Sequence, residues 1–422
     1  MKALLFSLLF FLTALPAYGK AYTVQSLLDA SARSPGVQKM EALASAAKAS
    51  AGMEGSLMDA MATVGAIDLG LPALMDADTF KFSVMLSQTF PVAGQNVLRG
   101  NAAEATARSQ ALNAALEKAM SRRRVLSSLA GIEALLEKRA IAEEELTVVE
   151  RMLGTMRSRY TSGGESLPAV IAAEGEVSRM SNILLMSDSD RAMLLSDLAT
   201  SVGVSATDLE APRFPLWKSN ASSLPDSGGL VSAAMYTYPA LAARGTDIDR
   251  AGIRRTLAAL AWVPDLTVGV EYDYMPRPMP EHMASVQLGV SLPIFSGVAK
   301  LSGMAMAEAD GKAAKASLDE LSAAVSNRVF RLSAEASSLD AQVHNLEASG
   351  IALSEQNLRS LLTAIEVGNA DAEMLFRSVV KLYELKTARI EYRLRLLDDL
   401  FELEVYTGKS LVQIPSETEE FK

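Results

Sequence analysis

No proline occurs between Val92 and Leu167, nor between Ile294 and Ile414, and these two gaps restrict the possible folds more than any other feature of the chain. Proline costs roughly 3 kcal/mol in a helix interior, so a tract without it is free to form one long helix. Both tracts are rich in Ala, Leu, Glu, Lys, Arg, Ser and Met, mostly strong helix formers. Apolar side chains recur at spacings of three and four, as in the seams Leu146, Val149, Leu153, Met156 and Ile390, Leu394, Leu397, Phe401. A helix running from near Gly94 to Arg159 would extend roughly 100 Å at 1.5 Å per residue. Such helices are predicted to lie side by side in a coiled-coil-like assembly, with alanines letting backbones approach closely. The acidic run from Glu143 to Glu145 reads as a solvated helix face.

Immediately before each tract the period changes to two, the pattern of half-buried strands. Leu266, Val268, Val270, Tyr272 and Tyr274 alternate with polar or small residues, as do Val286, Leu288, Val290 and Leu292. In the first half Phe80, Phe82, Val84 and Leu86 do the same. The predicted strands are about 63–71, 80–90, 265–274 and 284–292, lengths that suit tilted membrane strands. Four strands cannot close a barrel, since about eight are needed, and open edges are excluded from lipid. Three chains would supply twelve strands and a lumen wide enough for solutes. Tyr272 and Tyr274 would then sit in an interfacial aromatic girdle, or else form a packing pair within a hairpin.

The two halves share their punctuation at an offset of about 204 residues: Pro35 with Pro239, Gly94 with Gly297, Gly163 with Gly368, Gly203 with Gly408. This predicts a first repeat over 20–209 with a helical hairpin over about 94–203, and a linker over 210–229. The second repeat would span 230–408 with its hairpin over about 297–408, leaving 409–422 as a tail.

Lys2, the apolar run Ala3–Leu15, Pro16 and the small residues Ala17 and Gly19 have the layout of a secretory signal peptide over 1–19. Export permits disulfides, yet the chain has no cysteine, which removes disulfides, thiol chemistry and N-terminal lipidation at cysteine. No later apolar run approaches the length of a membrane helix, so any membrane crossing must use strands. A net charge of −10 spread along the chain argues against nucleic-acid binding. Two histidines, with no phosphate loop or nucleophile elbow, argue against an enzyme, and no cofactor is expected.

Ser87-Gln88-Thr89-Phe90-Pro91 with Gly94, Ser291-Leu292-Pro293-Ile294 with Gly297, and Arg159-Tyr160-Thr161-Ser162-Gly163 followed by Glu165-Ser166-Leu167 together resemble the TolC-like outer-membrane efflux family, over nearly the whole mature chain. The resemblance implies a mainly α fold with a β-barrel portion: a homotrimer whose twelve-stranded barrel in a Gram-negative outer membrane continues as a long periplasmic α-helical barrel. It also implies three partners beyond the chain itself, namely outer-membrane lipid, a periplasmic adaptor and an inner-membrane transporter of the RND type. The helix-reversal turns would form the periplasmic mouth, which makes Arg159, Tyr160, Gly163, Leu167 and Gly368 the candidates for adaptor docking. Pro168 departs from the family pattern there. Asp371 and Glu373, repeated three times around a narrow aperture, would form a cation-selective gate, or would merely complement the dipole of a helix start.

Met275, Met279, His282 and Met283 cluster in a proline-rich stretch expected to be an extracellular loop. Thioether and imidazole groups suit soft cations such as Cu(I), and the strand pairs resemble the heavy-metal branch of the family. Methionine also serves simply as a flexible filler. The sequence reading favours the outer-membrane channel of a tripartite efflux system. A type I secretion duct and a periplasmic coiled-coil scaffold or adaptor are the alternatives.

Overall fold

The computed structural model describes residues 20–67, 81–210, 226–275, 280–292, 296–366 and 372–412. The expected signal segment and most of both the expected linker and the tail therefore lie outside the described residues. The first half contains β1 (Lys20–Ala21), α1 (Val24–Ser31), α2 (Pro35–Gly55), β2 (Met61–Ile67), β3 (Lys81–Phe90), α3 (Gln95–Thr161), α4 (Leu167–Val202) and β4 (Leu209–Glu210). The second contains α5 (Ser227–Thr237), α6 (Pro239–Leu260), β5 (Leu266–Met275), β6 (Glu281–Val290), α7 (Gly297–Asn345), α8 (Ile351–Glu366) and α9 (Ala372–Thr407).

The long helices form as the proline gaps predict. α3 is unbroken over 67 residues, about 100 Å at 1.5 Å per residue. Its counterpart is not uniform: a π-helical turn at Leu346–Gly350 separates α7 from α8. Gly94 and Gly163 are 69 positions apart, whereas Gly297 and Gly368 are 71 apart, and one π-turn takes up part of such added length without ending the helix.

Packing explains why such thin rods are stable. Along α3, α2 covers the half nearer the sheet and α4 the half nearer the tip. α4 ends at Gly203 in the left-handed conformation (φ 81°), and α2 begins at Pro35, capped by Ser34, whose Oγ accepts from the Val37 N–H. The two short helices therefore meet end to end. The Ser121 hydroxyl of α3 lies beneath the joint, within reach of the Ser31 and Ser201 carbonyls at 3.1 and 3.3 Å. In the second half α6 meets α9 similarly, with the Tyr238 and Tyr406 rings 4.8 Å apart and the Thr237 hydroxyl donating to the Tyr406 carbonyl.

The main core lies at this level and draws Leu27, Leu126, Leu198, Leu230, Leu332 and Phe401 from six helices. A second core nearer the tip joins α3, α4 and α9 through Val149, Met156, Val170, Phe376 and Val379. Within the second repeat Glu402 of α9 accepts two bonds from Arg328 of α7 (2.6 and 2.8 Å), and it reaches the first repeat through an ion pair with Arg123 of α3 (2.9 Å). Burial alone would raise the Glu402 pKa, but the Arg328 bonds and the charges of Arg123, Arg328 and Arg331 hold it below the ordinary value.

The membrane-type strands form one antiparallel sheet in the order β2-β3-β5-β6. β6 begins ahead of the expected segment because Tyr274 and Met275 supply partners to His282 and Glu281. Residues 68–71 of the expected first strand lie outside the described residues. Among the described residues no helix is long and apolar enough to cross a membrane.

Candidate functional site: an apolar sheet and a helical tip

Register fixes what each sheet face carries. Val64 pairs with Val84, Val84 with Tyr272, and Tyr272 with Ala284; in parallel rows lie Leu86, Val270 and Val286, then Val268 and Leu288. One face is thus mainly apolar, with Val64, Leu86, Val286 and Leu288 between 55% and 72% exposed and with Gln88, in the Val268 row, and His282, beside Tyr274, as its polar members. A contiguous apolar face of this extent does not suit water. The other face is polar: Thr89 bonds Thr267 across the strands (2.9 Å), Gln287 donates to Glu271, and Lys81 pairs with the buried Asp273 at 2.8 Å. β2 and β6 are both edge strands.

Tyr272 and Tyr274 lie on the apolar face at the end of the sheet farthest from the helices. His282 joins them: the Tyr272 hydroxyl is 2.5 Å from its Nδ1, and the Tyr274 ring stacks on it at 5.1 Å. This separates the residues grouped earlier as soft-metal candidates. His282 and Met283 belong to β6 and Met275 to β5, not to a loop. Met275 pairs with Glu281 and Met283 with Asp273, so both methionines share the polar face while His282 stands on the opposite one. Met279 lies outside the described residues. No group of three or more His, Asp or Glu among the described residues could hold a metal ion.

At the other end of the protomer α3 reverses into α4. Gly163 adopts φ 79° and donates to the Tyr160 carbonyl (3.0 Å), while Gly164 donates to that of Arg159 (2.8 Å), closing the helix with a left-handed cap. Ser166 then caps α4 through the Ala169 N–H. Pro168 is the second helical residue, where the backbone N–H has no intrahelical partner to lose. Arg159, Tyr160, Gly163 and Leu167 are thus gathered in one exposed turn, with Tyr160 and Leu167 each more than 40% exposed. Gly368 and Asp371 lie outside the described residues. Glu373 opens α9 and accepts from Arg377 at 2.5 Å.

The sequence reading missed Glu145. It is not part of a solvated face: Glu143 and Glu144 are exposed, but Glu145 is only 3% exposed. The available signal was its spacing, since Ala142, Glu145, Val149 and Leu153 all fall on the buried seam of α3.

No protein-family model matches this sequence, and no curated protein matches it either. Solved structures do. A membrane protein from Pseudomonas aeruginosa aligns at TM-score 0.77 and 15% identity, covering 91% of this chain and 93% of that one. The outer membrane protein VceC of Vibrio cholerae aligns at 0.74 and 17%, covering 92% and 95%. The open state of the MtrE outer membrane channel of Neisseria gonorrhoeae aligns at 0.71 and 16%, covering 92% and 89%. The protomer therefore has the fold of an outer-membrane channel. More narrowly, it has the TolC-like fold, in which a small antiparallel sheet continues into long helices.

Proposed function

We propose that the chain is the outer-membrane duct of a tripartite efflux system, passively conducting substrates from an inner-membrane transporter and a periplasmic adaptor to the cell exterior. The observation that carries this reading is the sheet: one face is mainly apolar and highly exposed, and β2 and β6 have no further strand beyond them among the described residues. Lipid satisfies the face but not the edges. Joining β6 of one copy to β2 of the next satisfies both, and three copies give a closed barrel of twelve strands. The polar face then lines the lumen, and the helices hang into the periplasm as its extension.

In this assembly Arg159, Tyr160, Gly163 and Leu167, with Gly368 from the second reversal, ring the periplasmic mouth and receive the adaptor. Asp371 and Glu373 form the cation-selective constriction behind it, fed by an RND-type transporter. Tyr272 and Tyr274 sit at the outer lipid boundary, where amphipathic rings are favoured. Heavy-metal cations are a suitable cargo, because Met275 and Met283 present thioethers on the lumen face beside Asp273.

Extraction and mass test the reading together. Protein in cell envelopes should resist salt washing, dissolve in detergent, and emerge as three protomers by light scattering. Release by salt would favour a periplasmic scaffold, and a folded monomer in lipid would reject the duct.

A further inference from the structure

Partway along the helical shaft, α3 places a carboxyl group on its buried seam. Oε1 of Glu145 has no hydrogen-bond partner. From α4, Glu176 and Arg179 face it, with Arg179 Nη2 3.6 Å away. That guanidinium is already committed to Glu176, whose two oxygens each accept from Nε at 2.9 Å. From α9 come Glu384, which is paired with Lys381 at 3.3 Å, and the buried Tyr383. On α3 itself Glu144 faces Tyr383.

Other cations nearby are engaged elsewhere. Lys138 pairs with Glu391 at 2.9 Å, Arg139 binds Glu143 and Asp188, and Lys386 sits over the Tyr383 ring. Two carboxyl groups of α3 and α4 therefore share a single guanidinium, with Glu145 only 3% exposed and Arg179 47% exposed. Above them a groove of about 440 Å³ runs between α4 and α9.

We infer that a proton held between Glu145 and Glu176 fastens α4 to α3 and α9, and that its release opens the groove, making this cluster a proton-operated clasp in the helical shaft. With the proton in place, Glu145 donates to Glu176 while Arg179 balances the remaining charge. Without it, two adjacent carboxylates compete for one partly exposed cation while Glu145 stays buried, and separation of the helices relieves both the repulsion and the desolvation of Glu145.

The titration agrees with the geometry. Burial raises the Glu145 pKa to about 8, the bond to Glu176 and the charges of Glu176 and Glu384 add to the rise, and Arg179 opposes it. Because the folded value lies above the ordinary 4.5, the closed packing is fully supported below about 4.5 and loses that support as pH rises toward 8.

The absence of cysteine makes a distance measurement direct. Met186 of α4 and Thr387 of α9 both line the groove, and Met186→Cys with Thr387→Cys can be spin-labelled in the full chain reconstituted in lipid nanodiscs. Between about pH 5 and about pH 9 the label separation should lengthen, or gain a longer population, in the background with Glu145 intact. Glu145→Gln keeps the shape and a donor but cannot ionise, so the short separation should persist at both pH values. Glu176→Gln gives Glu145 a neutral amide donor and should move the transition to lower pH. An unchanged separation with Glu145 intact, or a transition in Glu145→Gln matching it, would overturn the inference.

Discussion

Gly203 lies so close to Pro35 that a Cβ on the glycine would stand 2.5 Å from the proline Cδ and 3.0 Å from its Cγ. The last residue of the first repeat's hairpin thus touches the first residue of α2. This contact turns α4 and α2 into one nearly continuous rod along α3.

Gly203→Ala should therefore be costly for two reasons. The left-handed conformation costs an alanine about 1 kcal/mol, and the clash with a proline ring adds to it. Gly408→Ala is the matched control, since its φ of 63° is similar but the nearest atom would be 3.8 Å away. Thermal loss of the helical circular-dichroism signal should fall clearly further for Gly203→Ala, and equal shifts would refute the role of the Pro35 contact.

Leu288 and Gln287 are neighbours on opposite faces of β6. Leu288→Arg should cost about 2 kcal/mol or more in lipid and reduce the fraction of protein recovered in outer-membrane fractions. Gln287→Arg, on the polar face, should leave that fraction nearly unchanged. Similar losses from both would contradict the assignment of the apolar face to lipid.

If Asp371 and Glu373 form the proposed gate, Asp371→Ala combined with Glu373→Ala should lower the preference for cations in planar-bilayer conductance. Arg377 pairs with Glu373, so the Asp371 substitution alone should produce the larger part of the change. Unaltered ion selectivity in the double variant rejects the gate assignment.

Glu402 gives an acid-sensitive joint that ties α9 to α7 and, through Arg123, to α3. Its folded pKa lies below the ordinary 4.5, so its contribution is present above that value and disappears as pH falls through the depressed one. Arg328→Ala removes two charge-assisted bonds and should cost about 2 kcal/mol at neutral pH. That deficit should shrink on acidification, as measured by melting at a series of pH values; a deficit independent of pH would assign Arg328 a packing role only.

Much of this architecture was legible because proline gaps and period-two alternation are local properties. α3 and the sheet follow from them directly, and left-handed Gly163, Gly203 and Gly408 fall where the repeat marks helix ends. What escaped depends on neighbours. His282 seemed to belong with Met275 and Met283 by proximity in the chain, but strand register turns it the other way. Glu145 looked solvated beside two other glutamates, and only the packing of α4 and α9 against α3 buries it. The π-turn left a trace in the unequal glycine spacing, although spacing alone does not say where along a helix extra length is absorbed.

That π-turn also bears on symmetry. Where two similar repeats alternate around a threefold axis, the wall of helices approaches sixfold symmetry above Leu346. A π-turn at Leu346–Gly350 in the second repeat alone would shift the helix below it along and around its axis relative to the first repeat, and the six positions would then separate into two sets of three. Any ring of proteins seated on the tip would then meet two alternating kinds of slot, and could match them with three identical subunits or with six arranged as unlike pairs.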